Sequence, residues 1–281
     1  MESRSAERFS DKTMLKTQMR KVLTSGLSWL YLIAIYFFIF LPVGVLVLFS
    51  FQDGRLPVPP FNGFSLQWYE TVFADSKLMA ALTHSFFVAT LSSAVACLLG
   101  FLAAYALARY KLPGSALQRG LLIAPMTVSY LIIALGLLAV LNALHIPLSL
   151  VTVGIGHVVI NLPLCFAIIY ASMGDHHINI ERAARDLGAN DFKVMALVTA
   201  PMLMPSILAA FFLSVTFSWD EFIIAFLLSR FDVTLPVMTF ELMRAGLTPE
   251  VNAAGTIVFA ISFAMALTAA MAVIFRPGRS R

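Results

Sequence analysis

Five stretches of this chain carry no Asp, Glu, Lys or Arg: residues 22–52, 78–108, 120–174, 194–219 and 251–275. Each is at least as long as the roughly 20 apolar residues an α-helix needs to cross a bilayer. The third, 55 residues long, is too long for one span, and Asn142, His145 and Pro147 interrupt it. It therefore holds two. Six membrane helices are expected, near residues 27–50, 80–107, 121–142, 149–172, 203–228 and 252–275. A content of 60% hydrophobic and 12% charged residues, with a mean hydropathy of +0.88, excludes a water-soluble domain. The fold class is thus all-α and integral to a membrane.

An even number of spans puts both ends on one side, and the basic residues choose the side. Fifteen of the 19 Lys and Arg fall in the N-terminal segment, the second-to-third and fourth-to-fifth loops and the C-terminal tail. The other loops hold Arg55, Lys77, Arg230 and Arg244. The positive-inside rule places the first set in the cytoplasm, with both termini. Residues 1–26 form a polar cytoplasmic tail, mobile or lying at the interface, 27–275 the six-span domain and 276–281 a second cytoplasmic tail. The first apolar run is too long for the core of a cleavable leader and is expected to remain as an anchor. The net charge of +4 follows from this topology, and no aromatic and basic interleaving suggests a nucleic-acid partner.

A polar interruption between two long apolar runs, residues 181–205, reads ERAARDLGANDFKVMALVTAPMLMP. Ile180, Ala183, Ala184 and Leu187 recur at i, i+3, i+4 and i+7, gathering a narrow apolar stripe on one helical face. Glu181 with Arg185 and Arg182 with Asp186 stand at i, i+4, a spacing at which opposite charges can pair. Gly188 ends this helix, because glycine takes the left-handed conformation without steric cost. Asn190 or Asp191 can cap the next short helix, and Pro201 and Pro205 mark a bend back into apolar sequence. The segment reads as helix, glycine turn, helix, a surface suited to touching another protein.

The run Ala183-Ala184-Arg185-Asp186-Leu187-Gly188-Ala189, with Pro201 and then Met204-Pro205 behind it, resembles the cytoplasmic signature loop of permease subunits of bacterial ABC importers. The similarity continues through Ser218-Trp219-Asp220-Glu221-Phe222, Thr234-Leu235-Pro236 and Thr248-Pro249-Glu250-Val251-Asn252-Ala253, which look like the spermidine/putrescine subgroup. Arg182 stands where the family usually has the glutamate before the two alanines, and Glu181 lies one position earlier. The resemblance implies a type I importer permease fold with a cytoplasmic helix-turn-helix coupling loop, here residues 175–202. It also implies an ABC ATPase dimer docked on that loop through Glu181, Ala183, Ala184, Arg185, Leu187 and Gly188. It further implies a second permease subunit, usually a different chain, and an extracytoplasmic binding protein on loops 52–77 and 229–250. The setting is the bacterial inner membrane. No cofactor is expected on this chain. ATP and Mg belong to the partner ATPase, consistent with the lack of a G-x-x-x-x-G-K-[ST] phosphate loop.

Asp220 and Glu221 are the only acidic residues within a predicted span. A carboxylate at mid-membrane costs about 2.5–3.5 kcal/mol on insertion scales, so each needs a cavity, a partner or a cation. One reading is that Asp220, with Glu221, attracts the amines of a cationic substrate while Trp219 offers a cation–π face. The other is that the pair hydrogen-bonds helices together. Being about 100° apart on a helix, the two cannot both point straight at one cavity. Cys97 and Cys165 read as small apolar residues, and His84 and His157 as hydrogen-bonded packing residues. Adjacent His176 and His177 lack the i, i+4 spacing of a metal face, and His145 marks an outer turn. Pro42, Pro125 and Pro163 read as packing features of membrane helices rather than as openings of a pathway, and Gly154 and Gly156 suit close helix contact. Two other classes compete with an importer permease. A secondary transporter driven through Asp220 and Glu221 needs no ATPase and tolerates change at Gly188. An intramembrane enzyme needs a catalytic constellation, and no Ser/His/Asp or H-E-x-x-H arrangement is present.

Overall fold

The computed structural model describes residues 2–54, 56–246 and 248–274; the expected tail at 276–281 lies outside them. The chain is helical almost throughout. Its helices are α1 (Glu2–Ser50), α2 (Gln67–Ala74), α3 (Ser76–Arg109), α4 (Ser115–Ile123), α5 (Tyr130–Ala143) and α6 (Leu150–Ala171). They continue as α7 (Asp175–Asp186), α8 (Asp191–Val194), α9 (Ala200–Trp219), α10 (Ile223–Leu228), α11 (Leu235–Ala245) and α12 (Pro249–Ile274). The apolar part of α1 begins at Gly26, and the backbone of residues 2–25 continues the same helix.

Five of the six expected spans are single long helices, and the third departs from the expected continuous one. Residues 115–127 and 130–143 meet at 104°. Pro125 opens a short 3-10 turn over Ala124–Thr127, and Val128 and Ser129 then adopt extended backbone, so the ladder stops before Tyr130. The fifth span is displaced as well. It runs from Asp191 to Trp219 rather than from 203 to 228, and Pro201 and Pro205 lie within continuous helix. A π-turn at Met195–Thr199 lets the helix take in these prolines and stay continuous. Past Trp219 the chain breaks, and α10 starts anew.

The core is the meeting of α3, α6 and α9. Lipid tails are as apolar as leucine, so these helices associate through close packing and hydrogen bonds. At Gly100 α3 and α6 are in close contact: a Cβ there would lie 2.8 Å from the backbone nitrogen of Phe166. Cys97, Cys165, Phe166 and Leu203 fill the half of this core nearer α7, and both cysteines are buried, as small apolar residues would be. A ladder of polar contacts joins these helices and ties α6 to α10. Ser214 donates to Ser93 at 2.9 Å, Ser92 and Ser218 lie 3.2 Å apart, and Thr152 donates to the carbonyl of Leu228 at 2.8 Å. Each bond of this kind contributes about 0.6 kcal/mol in a bilayer.

At the end opposite α7 the connections are not simple loops. The amphipathic α2 follows residues 51–66, which are fixed by the Trp68 Nε1 bond to the carbonyl of Gln52 and by a bridge between Gln52 and Phe64. The connection between the fifth and sixth spans contains α11, whose start is held by a bond from the Leu235 N–H to Ser85 Oγ at 2.7 Å. α12 then packs along α9 and α1.

Candidate functional site

Between the fourth and fifth spans, α7, Gly188 and α8 form the expected helix, turn, helix. Gly188 has φ +88. The N–H of Ala189 bonds to the carbonyl of Ala184 and that of Gly188 to Arg185, the paired closure that a left-handed residue permits. Asn190 rather than Asp191 caps α8, its side chain accepting from the N–H of Lys193 at 2.8 Å.

The side chains of this loop divide into two sets. Leu187 is 89% and Phe192 70% exposed, and Ala183 and Gly188 are also exposed, leaving an apolar surface open at this end of the spans. Ala184 and Arg185 are half-buried. Glu181 points the other way and is fully buried. Arg109 at the end of α3 donates Nε to Glu181 Oε2 at 2.7 Å, and Thr199 in the π-turn donates to Oε1 at 2.9 Å. The i, i+4 pairs expected within α7 do not form. Glu181 goes to Arg109, and Arg185 reaches Asp191 at 2.9 Å across the glycine turn. That hydrogen bond raises the pKa of the Arg185 guanidinium above its ordinary value. Arg109 and Thr199 are absent from the sequence reading. Arg109 is signalled only as the first charge after a long apolar run, and nothing local marks Thr199.

The second group lies at the break between α9 and α10. Of the three neighbours named from the sequence, Asp220 and Glu221 border one cavity and Trp219 does not. Trp219 is 2% exposed, packed with Val215 and Ala253, so its ring faces helices rather than an open cavity. Glu221 is also buried. Its carboxylate accepts from the N–H groups of Ile223, Ile224 and Ala225 at 2.9, 2.8 and 3.2 Å, which makes it the cap of α10. His157 Nε2 stands 3.5 Å from Glu221, and its Nδ1 meets Ser218 Oγ at 2.5 Å. This confirms a hydrogen-bonded packing role for His157. His84 has one too, with Nδ1 3.2 Å from the carbonyl of Val233.

Asp220 alone is exposed, because the helix ends there instead of continuing to Leu228. It borders two cavities. One, of about 620 Å³, is lined by Tyr130, Phe217, Phe222 and Ile223; the other, of about 320 Å³, by Thr239, Phe240, Phe259 and Ser262. Ser262 Oγ lies 3.5 Å from its carboxylate. Tyr130 reaches this place because the third span is bent, a feature that composition cannot reveal. No cluster of three or more His, Cys, Asp or Glu suited to a metal occurs among the described residues.

The chain is 32% identical over 229 residues to the putrescine transport system permease protein PotI of Escherichia coli (strain K12), covering 79% of this chain and 81% of that one. It belongs to the family of ABC importer permease subunits of the spermidine/putrescine type. The permease is also 29% identical over 238 residues to the spermidine/putrescine transport system permease protein PotC of the same organism, across 84% of this chain and 90% of that one. No family model matches it. The fold is that of a bacterial alginate ABC transporter solved with a pentasaccharide-bound periplasmic protein, with a TM-score of 0.66 at 17% identity over 87% of this permease and 92% of that chain. Subunits of this class are not catalytic, and ATP is hydrolysed on a separate polypeptide.

Proposed function

We propose that this permease subunit passes a small cationic substrate, a polyamine of the putrescine or spermidine class, from an extracytoplasmic binding protein to the cytoplasm. The observation that carries the substrate class is Asp220, an exposed carboxylate at a helix break beside a cavity lined by Tyr130, Phe217 and Phe222. A carboxylate compensates an ammonium charge, and aromatic faces add cation–π attraction of about 0.5–2 kcal/mol. Trp219 and Glu221 act behind it, one by packing and the other by capping α10 and so fixing where the helix breaks.

Transport proceeds by alternating access. A docked ATPase dimer binds the exposed surface of Ala183, Leu187, Gly188 and Phe192, and its closure on ATP and Mg moves α7. A shift between inward-facing and outward-facing states requires a partner that binds them unequally. The apolar patch, fixed to the spans through Glu181, gives the ATPase that hold. A second permease subunit, a different chain, completes the pathway around the Asp220 cavities, and the binding protein docks over α2 and α11. The chain sits in the inner membrane with both termini in the cytoplasm.

The test is uptake of labelled putrescine by cells expressing the whole system with and without this chain, competed by unlabelled spermidine, amino acids and sugars. Chain-dependent uptake blocked by polyamines alone is the expected result. Competition by amino acids or sugars, or no chain-dependent uptake, overturns the substrate class.

A further inference from the structure

The two charged residues of α7 that face inward stand one helical turn apart, and so do their partners on α3. Glu181 bonds to Arg109 at 2.7 Å, and Arg185 reaches the hydroxyl of Tyr105 at 3.5 Å. Residues four apart lie on one face of a helix, so α7 is clipped to the last turn of α3 at two levels. The other oxygen of Glu181 accepts from the hydroxyl of Thr199, in the π-turn near the start of the fifth span. Both carboxylate oxygens are used, on two different spans. The side chains of Arg109 and Glu181 are 6% and 0% exposed, so water does not compete for this contact.

The rest of α7 has little buried hold on the spans. Leu187 and Gly188 are exposed, and the bond from Arg185 to Asp191, the first residue of the fifth span, lies at the surface. A π-turn is a weak point in a helix ladder, and Thr199 sits on it. A displacement of α7 imposed from the cytoplasm therefore has one buried, charged route into both α3 and the fifth span.

We infer that the Arg109–Glu181–Thr199 contact is the joint that transmits movement of the coupling helix into the membrane, with Glu181 a positioning residue rather than a contact for the ATPase. This inference rests on the proposal that α7 docks the ATPase. The carboxylate divides the motion. Arg109 carries it to α3, and Thr199 carries it to the start of the fifth span, whose far end bears Asp220.

The experiment uses the complete transporter in proteoliposomes, measuring putrescine moved per ATP hydrolysed and the amount of ATPase subunit retained on the purified permease. Glu181→Gln and Thr199→Val are compared with wild type, with Arg109→Lys as the conservative variant. The expected result is full retention of ATPase with transport per ATP reduced at least fivefold in Glu181→Gln and at least twofold in Thr199→Val, and a smaller loss in Arg109→Lys. A merely structural contact lowers the yield of transporter without changing that ratio. An unchanged ratio in the variants overturns the inference, and so does loss of the ATPase from Glu181→Gln, which would make Glu181 a docking residue. If Glu181→Gln fails to insert, Thr199→Val, which removes a hydroxyl and no charge, decides by the same ratio. Failure of wild-type permease to retain any ATPase would instead overturn the docking proposal.

Discussion

An ionised carboxylate inside a bilayer costs about 2.5–3.5 kcal/mol, and the neighbours Asp220 and Glu221 meet that cost by different means. Glu221 accepts three backbone N–H bonds; at about 1.5–3 kcal/mol for a bond to a charged group, they exceed it. Asp220 has one long contact, to Ser262, and otherwise faces its cavities. Replacing Glu221 with Ala leaves three donors without that acceptor and is expected to destabilise the permease by at least about 2 kcal/mol, more than the usual cap loss of about 1 kcal/mol. Glu221→Gln, which keeps an acceptor oxygen, should lie between. Thermal unfolding of the purified complex in detergent checks the order. Asp220→Asn should leave that unfolding unchanged yet reduce putrescine uptake about tenfold at subsaturating substrate, the loss of about 1.4 kcal/mol of substrate interaction. A concentration series of uptake measures it, and an unchanged curve removes Asp220 from the pathway.

The glycine turn joins α7 to α8 in a conformation that other residues adopt only with strain. A Cβ at Gly188 would meet nothing within 4 Å, so the constraint is the backbone angle, φ +88, and not space. A β-branched residue there costs roughly 1–2 kcal/mol and reorients α8 with its exposed Phe192. Gly188→Val should therefore insert normally and lose uptake, whereas Gly188→Asn, a residue tolerated at left-handed positions, should keep most of it; membrane abundance and uptake are measured together. The turn was legible because its cause is local: one glycine behind a periodic stripe. The long spans were legible for the same reason, as charge-free runs leave a helix no alternative in lipid. What the sequence concealed depends on partners distant in the chain or on local competition for donors. Glu181 lies next to basic residues on its own helix, yet a partner 72 positions away takes it because that partner shares its buried site. The fifth span stops at Trp219 because the carboxylate of Glu221 captures the next N–H groups, a choice invisible to hydropathy. The bend at Val128 and Ser129 likewise follows from backbone geometry after Pro125, within sequence that is uniformly apolar.

Across the whole molecule, polarity is arranged by level. The spans expose apolar side chains, including Trp29, Phe37 and Phe38 on α1 and Phe86, Phe87 and Leu91 on α3, all more than half exposed. Surface of this kind is stable only against lipid or another membrane subunit. The two ends differ in a testable way. Basic residues concentrate beside α7 and in the terminal segments, whereas the opposite end carries a cavity of about 450 Å³ lined by Lys77, His84, Arg230, Asp232 and Glu241, charges of both signs. The positive-inside rule then makes the Asn190 end cytoplasmic and the Asp232 end external. Both native cysteines are buried and should react poorly with impermeant thiol reagents in intact membranes, giving a low background. Asn190→Cys should be labelled only in inverted vesicles and Asp232→Cys only in intact spheroplasts. The reverse pattern would turn the permease over, carry α7 and its exposed Leu187 away from any cytoplasmic ATPase, and so remove the docking reading together with the orientation.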